Sequence, residues 1–136
     1  MAFKMIELNE AQMNEIEEKL EAYDEHYTKY PVSGAIKIGI EHEGQMIAGA
    51  DAVVTTFKIL YVSTVYVDEA FRGQGLGRKL MEELETQAAR LGVNTIRLDT
   101  FDWQGSDFYP KIGYEEVGYY KNEMDGYSEH FFVKRL

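Results

Sequence analysis

Hydrophobic and polar positions along this chain switch between two periods, and the switches mark out its elements. Phe3 to Leu8 alternates weakly and predicts a short first strand. Asn9 then offers a side-chain cap, with Gln12 at the capping-box position. Met13, Ile16, Leu20 and Tyr23 recur at spacings of three and four, the apolar stripe of an otherwise acidic helix. Pro31 and Gly34 break that run. Ile36, Ile38 and Ile40 alternate with Lys37, Gly39 and Glu41, which predicts a half-buried strand. Glu43-Gly44-Gln45 reads as a hairpin turn, leading to strands over Met46–Phe57 and Ile59–Val67.

Beyond residue 75 the period returns to that of a helix. Leu76, Leu80, Leu84, Ala88 and Leu91 share one face, and Gly92 stops the run. Thr95–Thr100 predicts a strand with Ile96 and Leu98 on one side, and Ser106–Ile112 a short helix ended by Gly113. Tyr114–Tyr120 and His130–Arg135 are the last two strands, joined by the polar loop Lys121–Glu129. The order is β, α, three strands, α, β, α, two strands, an α/β arrangement around a sheet of mixed direction. No repeat, linker or low-complexity tract interrupts it, so residues 1–136 read as a single domain.

Composition narrows the classes. With 136 residues, 45% of them hydrophobic, the chain can bury a usable core. It has no Cys, which removes disulfides and thiolate metal sites, and His26, His42 and His130 show no ligand spacing, so no metal is expected. The first residues are too short and mixed for a signal peptide, and no apolar run approaches the roughly 18 residues of a membrane span. The expectation is a cytoplasmic protein with no membrane partner. A net charge of −10 opposes nucleic-acid binding through phosphates and favours a cationic small partner.

Against that acidic background stands the basic, glycine-rich stretch Arg72-Gly73-Gln74-Gly75-Leu76-Gly77-Arg78, followed by Lys79. It lies between a β-branched strand and a helix, where unpaired amides and the positive end of the helix dipole attract phosphate. Glycine there lets the main chain approach a ligand closely. A P-loop is excluded, because its Lys must be followed by Ser or Thr and Lys79 is followed by Leu80. A dinucleotide fingerprint fails at its third glycine, where Arg78 stands. The spacing Arg-x-x-Gly-x-Gly resembles the acyl-CoA pyrophosphate loop of the GNAT superfamily of N-acetyltransferases. The order of elements resembles that fold over essentially the whole chain, a central mixed and mostly antiparallel sheet flanked by helices.

A second segment, Asp102-Trp103-Gln104-Gly105-Ser106-Asp107-Phe108-Tyr109-Pro110-Lys111-Ile112-Gly113-Tyr114, is similar to the family's Asn-x-x-Ala-x-x-Phe-Tyr-x-Lys-x-Gly-Phe. Asp102 stands where Asn is usual and Gly105 where Ala is usual; Tyr114 replaces Phe. The resemblance implies acetyl-CoA as cosubstrate, a small-molecule or peptide amine as acceptor, and a homodimer as a common assembly. It implies that residues 72–78 (Arg72, Gly73, Gln74, Gly75, Leu76, Gly77, Arg78) hold the cofactor together with Asp102, Tyr109 and Lys111. It further implies that Val65, Tyr66 and Val67 bind the pantetheine arm as a sheet edge would, with the Tyr66 amide facing the thioester carbonyl. A bulge near Ser63-Thr64 would expose that edge.

Acetyl transfer to an amine needs donors for the developing oxyanion, a proton for the departing sulfur and a neutral amine. Tyr109 is the acid that the resemblance implies; a phenol of pKa about 10 holds its proton at neutral pH. An ammonium of pKa about 10.4 is neutral only about once in 2,500 molecules at pH 7, a handicap near 4.6 kcal/mol. Many family members place a Glu on the strand occupied here by Ser63 and Thr64, and Asp51, Asp99 and Asp102 all stay open as bases. With no Cys nucleophile, direct attack in a ternary complex is expected. Tyr23, Tyr27 and Tyr30 with Asp24 and Glu25 lie in the substrate-facing region of the family and offer cation–π and ionic contacts to an ammonium. His130 reads as a strand histidine, and Trp103 as a packing residue or a border of the acceptor cleft. The rival from another class is a non-catalytic acyl-CoA-binding sensor; a nucleotide-binding domain is the weaker third.

Overall fold

A computed structural model of the chain describes residues 2–28 and 32–136. The chain divides into two units, Met1–Tyr30 and Pro31–Leu136. In the first, Glu10–Asp24 forms helix α1. Its N-terminus is closed as the sequence predicts: the Gln12 N–H donates to the Asn9 side chain at 2.9 Å, and the Asn9 N–H donates to the Gln12 side chain at 3.0 Å. The expected strand over Phe3–Leu8 is not formed. A strand is stabilised by its ladder, and the six strands of the sheet all lie in the second unit, so a weakly alternating segment has nothing local to hold it extended.

The second unit runs β1 (Ala35–His42), β2 (Gln45–Val54), β3 (Ile59–Val67), α2 (Leu76–Arg90), β4 (Thr95–Phe101), α3 (Phe108–Lys111), β5 (Glu115–Asn122) and β6 (Tyr127–Arg135). The strands stand in the order β1-β2-β3-β4-β6-β5. Every neighbouring pair is antiparallel except β3 and β4, which α2 connects as a parallel crossover. The mixed, mostly antiparallel sheet is therefore as expected. β2 ends at Val54 rather than Phe57, because the Thr55 N–H donates to Ile59 O and turns the chain back. The polar loop before β6 is shorter than expected, since β5 and β6 stay paired out to Asn122 and Tyr127.

Leu80, Met81, Leu84 and Ala88 of α2 are buried on Ile36, Ala52, Leu60, Val62, Ile96, Leu98 and Phe132 of the sheet. Each large side chain so buried contributes about 1.5–3 kcal/mol. That packing fixes α2 on one face and sets its N-terminus beside the end of β3. A second tie holds α3 and β6 to the same helix: Tyr114 Oη donates to Glu85 at 3.0 Å, and Lys134 Nζ donates to Glu85 at 2.8 Å and to Ile112 O at 3.0 Å. Among the described residues no helix is long and apolar enough to cross a membrane.

The sheet opens into a gap between β3 and β4. Between β2 and β3 the register shifts: Asp51 pairs with Thr64 but Ala52 pairs with Val62. Ser63 is the extra residue, a bulge at the place where one is needed to expose that edge, and its hydroxyl donates to Asp51 O at 3.2 Å. β3 pairs with β4 only from Ile59–Thr95 to Val62–Leu98. Past the bulge, the β4-facing edge of β3 has no strand partner among the described residues.

Candidate active site

The open edge of β3, the turn before α2 and the start of α3 surround one cavity of about 790 Å³. At its mouth, Gly73 and Gly75 have φ of 78° and 82°, left-handed conformations that side chains rarely adopt. A Cβ on either would meet no protein atom within 4 Å, so the loop leaves a cradle open on its outer side. Gly75 also begins α2 without a side-chain cap, and the first turn contains no acidic residue. The first helical hydrogen bond runs from Lys79 N–H to Gly75 O, which leaves the preceding amides without intrahelical acceptors. Arg78 adds positive charge to that turn, where it opposes the dipole unless an anion docks. Chemically such a turn can receive an anion of phosphate type.

Arg72 borders the cradle, but its role is partly structural. Its Nε–H donates to Val67 O at 2.8 Å and its guanidinium lies 5.6 Å from the Tyr66 ring centroid, which anchors the loop to β3. Leu76, Gly77 and Arg78 also face the cavity, whereas Gln74, Asp102 and Lys111 are not part of its wall. Asp102 instead ties two strands: its carboxylate accepts the Ser128 N–H at 3.3 Å, and its own N–H donates to Ser128 O at 3.0 Å.

Val65, Tyr66 and Val67 line the cavity along the open edge. The Asp68 N–H donates to Ile47 O at 2.7 Å, and an antiparallel ladder turns alternate residues toward the same neighbour. The main chain of Tyr66 therefore turns to its partner Gly49 on β2, and the amides of Val65 and Val67 turn to the gap. This differs from the sequence reading, which took Tyr66; the parity of the ladder is the reason.

Tyr109 reaches the cavity from α3. It is only 7% exposed, and its ring packs on Phe108, Tyr114 and Phe132 at centroid distances of 5.2, 5.6 and 5.8 Å. Burial pushes its phenol up to about 12, so the proton is held throughout the neutral range. Among the described residues its hydroxyl makes no hydrogen bond. Three other tyrosine hydroxyls are held by carboxylates: Tyr114 by Glu85, Tyr61 by Asp99 and Tyr120 by Glu129. The departure at Gly105 is also explained. A Cβ there would stand 2.8 Å from Tyr109 Cε2, so the ring can occupy this position only beside glycine.

Three carboxylates were open as bases, and their surroundings separate them. Asp51 is paired with Lys37 at 2.9 Å and Asp102 holds Ser128, while Asp99 lines the cavity. Tyr61 Oη donates to Asp99 at 2.9 Å, and the Tyr61 phenol is pushed up by that hydrogen bond first and by burial second. Trp103 also lines the cavity, stacked on Phe101 at 4.7 Å. Tyr23 and Tyr27 pack on each other at 5.7 Å within the first unit, and Tyr30 lies outside the described residues.

The sequence reading missed a cross-strand relay on β5 and β6. Ser128 Oγ and His130 Nε2 share a hydrogen bond at 2.8 Å, and His130 Nδ1 bonds Glu116. Ser128 is buried and outside the cavity, so the relay ties strands rather than presenting a nucleophile. Among the described residues no cluster of three or more His, Cys, Asp or Glu could hold a metal.

Comparison with known proteins bears on the family and the fold. The family described as acetyltransferase (GNAT) matches residues 3–114. A crystal structure of an acetyltransferase from Bacillus cereus superposes with a TM-score of 0.87 at 32% identity, covering 98% of both chains. A streptothricin acetyltransferase of Bacillus anthracis, solved with acetyl coenzyme A, has a TM-score of 0.67 at 18% identity, covering 82% of this chain and 67% of that one. The blasticidin-S acetyltransferase of Streptomyces morookaense is 32% identical over 78 residues, 57% of each chain. The match thus spans little more than half the length of that relative.

Proposed function

The chain belongs to the acetyltransferase (GNAT) family, and from that premise we propose that it transfers the acetyl group of acetyl-CoA to a primary amine by direct attack in a ternary complex. The observation that carries the reading is the Tyr109 hydroxyl: held on a buried ring, protonated, free of hydrogen-bond partners among the described residues, and opening on the same cavity as the glycine cradle and the unpaired edge of β3. A module that only bound acyl-CoA would have no use for such a donor.

Acetyl-CoA supplies the activated acyl group and a thiol leaving group. The amides opening α2, with Arg78, hold its pyrophosphate. The edge of β3 receives the pantetheine arm as a further strand would be received. The Val65 N–H, turned into the gap, is placed to stabilise charge on the acyl oxygen. Tyr109 gives its proton to the departing sulfur. The acidic balance of the chain supports a cationic acceptor, which charge would steer toward the site.

Two measurements test this. Thermal unfolding with and without CoA compares the parent with Gly75→Val, which places a β-branched residue at φ 82° and a Cβ in the cradle. Unfolding without CoA gives the baseline for the variant, and its CoA affinity is expected to fall by about tenfold or more. Thiol release from acetyl-CoA across a panel of amines then tests transfer. Equal stabilisation of both proteins by CoA would remove the cradle from the site, and thiol release with no amine would leave a binding module.

A further inference from the structure

We infer that Asp99 is the residue that receives the acceptor: its carboxylate binds the incoming ammonium and takes the proton that the amine must lose. This rests on the amine-transfer reading above and names the group that reading lacks.

Asp99 is the first residue of β4 past the end of its pairing with β3, which stops at Leu98. Its neighbours Leu98 and Thr100 are buried on the face that carries α2 and α3. Alternation along the strand turns Asp99 to the opposite face of the sheet. The gap between β3 and β4 therefore has Tyr109 on one side and Asp99 on the other, with the Val65 amide on the edge between them. An amine entering beside Asp99 meets the acyl carbon from the side opposite the group that protonates the sulfur.

The carboxylate is set for a cation that the protein does not supply. Asp99 is half-buried, and its one hydrogen bond is from Tyr61 Oη to Oδ2. Among the described residues no Lys, Arg or His nitrogen lies within 4.0 Å of it. Arg97, the nearest candidate in sequence, spends its charge over the Tyr61 ring, 4.4 Å from the centroid. Tyr61 is thus a positioning residue: Arg97 holds its ring and its hydroxyl holds Oδ2, which leaves Oδ1 for the substrate. A half-buried carboxylate with a single neutral donor gains most from a charge-assisted partner.

The step balances as follows. An alkylammonium gives one proton to Asp99, which passes it to water. The freed nitrogen lone pair forms the N–C bond to the acyl carbon, and the carbonyl π pair moves to oxygen. That pair returns as the C–S bond breaks, and the sulfur takes the Tyr109 proton. The second nitrogen proton leaves by the Asp99 side, and Tyr109 is reprotonated from solvent. The net products are the amide, the free thiol and one proton.

The test compares Asp99→Asn with the parent on two probe amines, n-butylamine and 2,2,2-trifluoroethylamine, the second being largely neutral at pH 7. Asparagine keeps the shape and can still accept from Tyr61, and CoA-induced thermal stabilisation equal to the parent's shows that the fold and cradle are intact. For n-butylamine, kcat/KM is expected to fall by about 10²–10³-fold. For trifluoroethylamine, which has no ammonium to bind or deprotonate, the expected loss is below about tenfold. Chemical-shift changes caused by n-butylamine alone should vanish in the variant, and Tyr61→Phe should lower kcat/KM for n-butylamine by about tenfold without changing CoA binding. Near-parent turnover of n-butylamine by Asp99→Asn, or equal losses for both amines, would overturn the assignment. A parent that acetylates neither probe nor any other amine would instead overturn the amine-transfer reading, and this inference with it.

Discussion

Replacing Tyr109 by Phe isolates one proton. The ring stays, and with it the contacts to Phe108, Tyr114 and Phe132. Among the described residues the hydroxyl makes no hydrogen bond, so its loss orphans no buried partner, and stability should move by less than about 0.5 kcal/mol. Acetyl-CoA affinity should also hold, because the cradle at Gly73 and Gly75 and the open edge of β3 are untouched. Turnover is different. Losing a positioned acid costs about 10²–10⁴-fold. Burial pushes this phenol to about 12, which keeps the proton in place but makes it a weaker acid. The loss should therefore fall in the lower half of that range, about 10²–10³-fold, or roughly 2.7–4 kcal/mol of barrier. Single-turnover thiol release at saturating acetyl-CoA, with the best amine of the panel, reads the chemical step directly. A rate within about threefold of the parent would refute the reasoning and make Tyr109 a packing residue.

Two further outcomes follow from the same packing. Gly105→Ala puts a methyl group 2.8 Å from Cε2 and 3.3 Å from Cδ2 of Tyr109, an overpacking of about 1–3 kcal/mol. Melting temperature and single-turnover rate should fall together, and a variant unchanged in both would show that the ring can move freely. The phenols also predict alkaline instability. Burial pushes Tyr109 up to about 12, and burial, followed by the charge of Glu85, pushes Tyr114 higher still. The folded chain then keeps protons that the unfolded chain releases near pH 10. Stability should be complete below pH 10 and fall above it, by about 1.4 kcal/mol per pH unit for each group until its folded value is reached. Denaturant unfolding between pH 8 and pH 11.5 checks this, and a flat profile would contradict the burial of both rings.

What could be read along the chain was local. The capping box at Asn9, the helical face from Leu76 to Leu91 and the glycine turn before it each depend on residues a few positions apart. Their conformations follow from caps, periodicity and left-handed glycines that short spacing displays. The first strand was misread for the converse reason: alternation over Phe3–Leu8 is a local pattern, but a strand exists only by pairing.

The sequence by itself determined the family, the glycine turn before α2 and the tyrosine motif, because each is a set of residue types at fixed separations. The tertiary structure alone decided how those parts face one another. Whether Tyr66 or Val65 turns its amide to the gap depends on the parity of a ladder closed by Asp68 and Ile47. Which tyrosine hydroxyls are taken depends on Glu85, Asp99 and Glu129 reaching Tyr114, Tyr61 and Tyr120 from other strands and helices. Which aspartate is left for a substrate depends on Lys37 taking Asp51 across one strand pair and Ser128 taking Asp102 across another. Those partners lie 9 to 38 positions apart, at separations set by strand register and helix packing. A one-residue slip would exchange faces and leave the sequence motifs intact, so the chemistry of the site is written in the register.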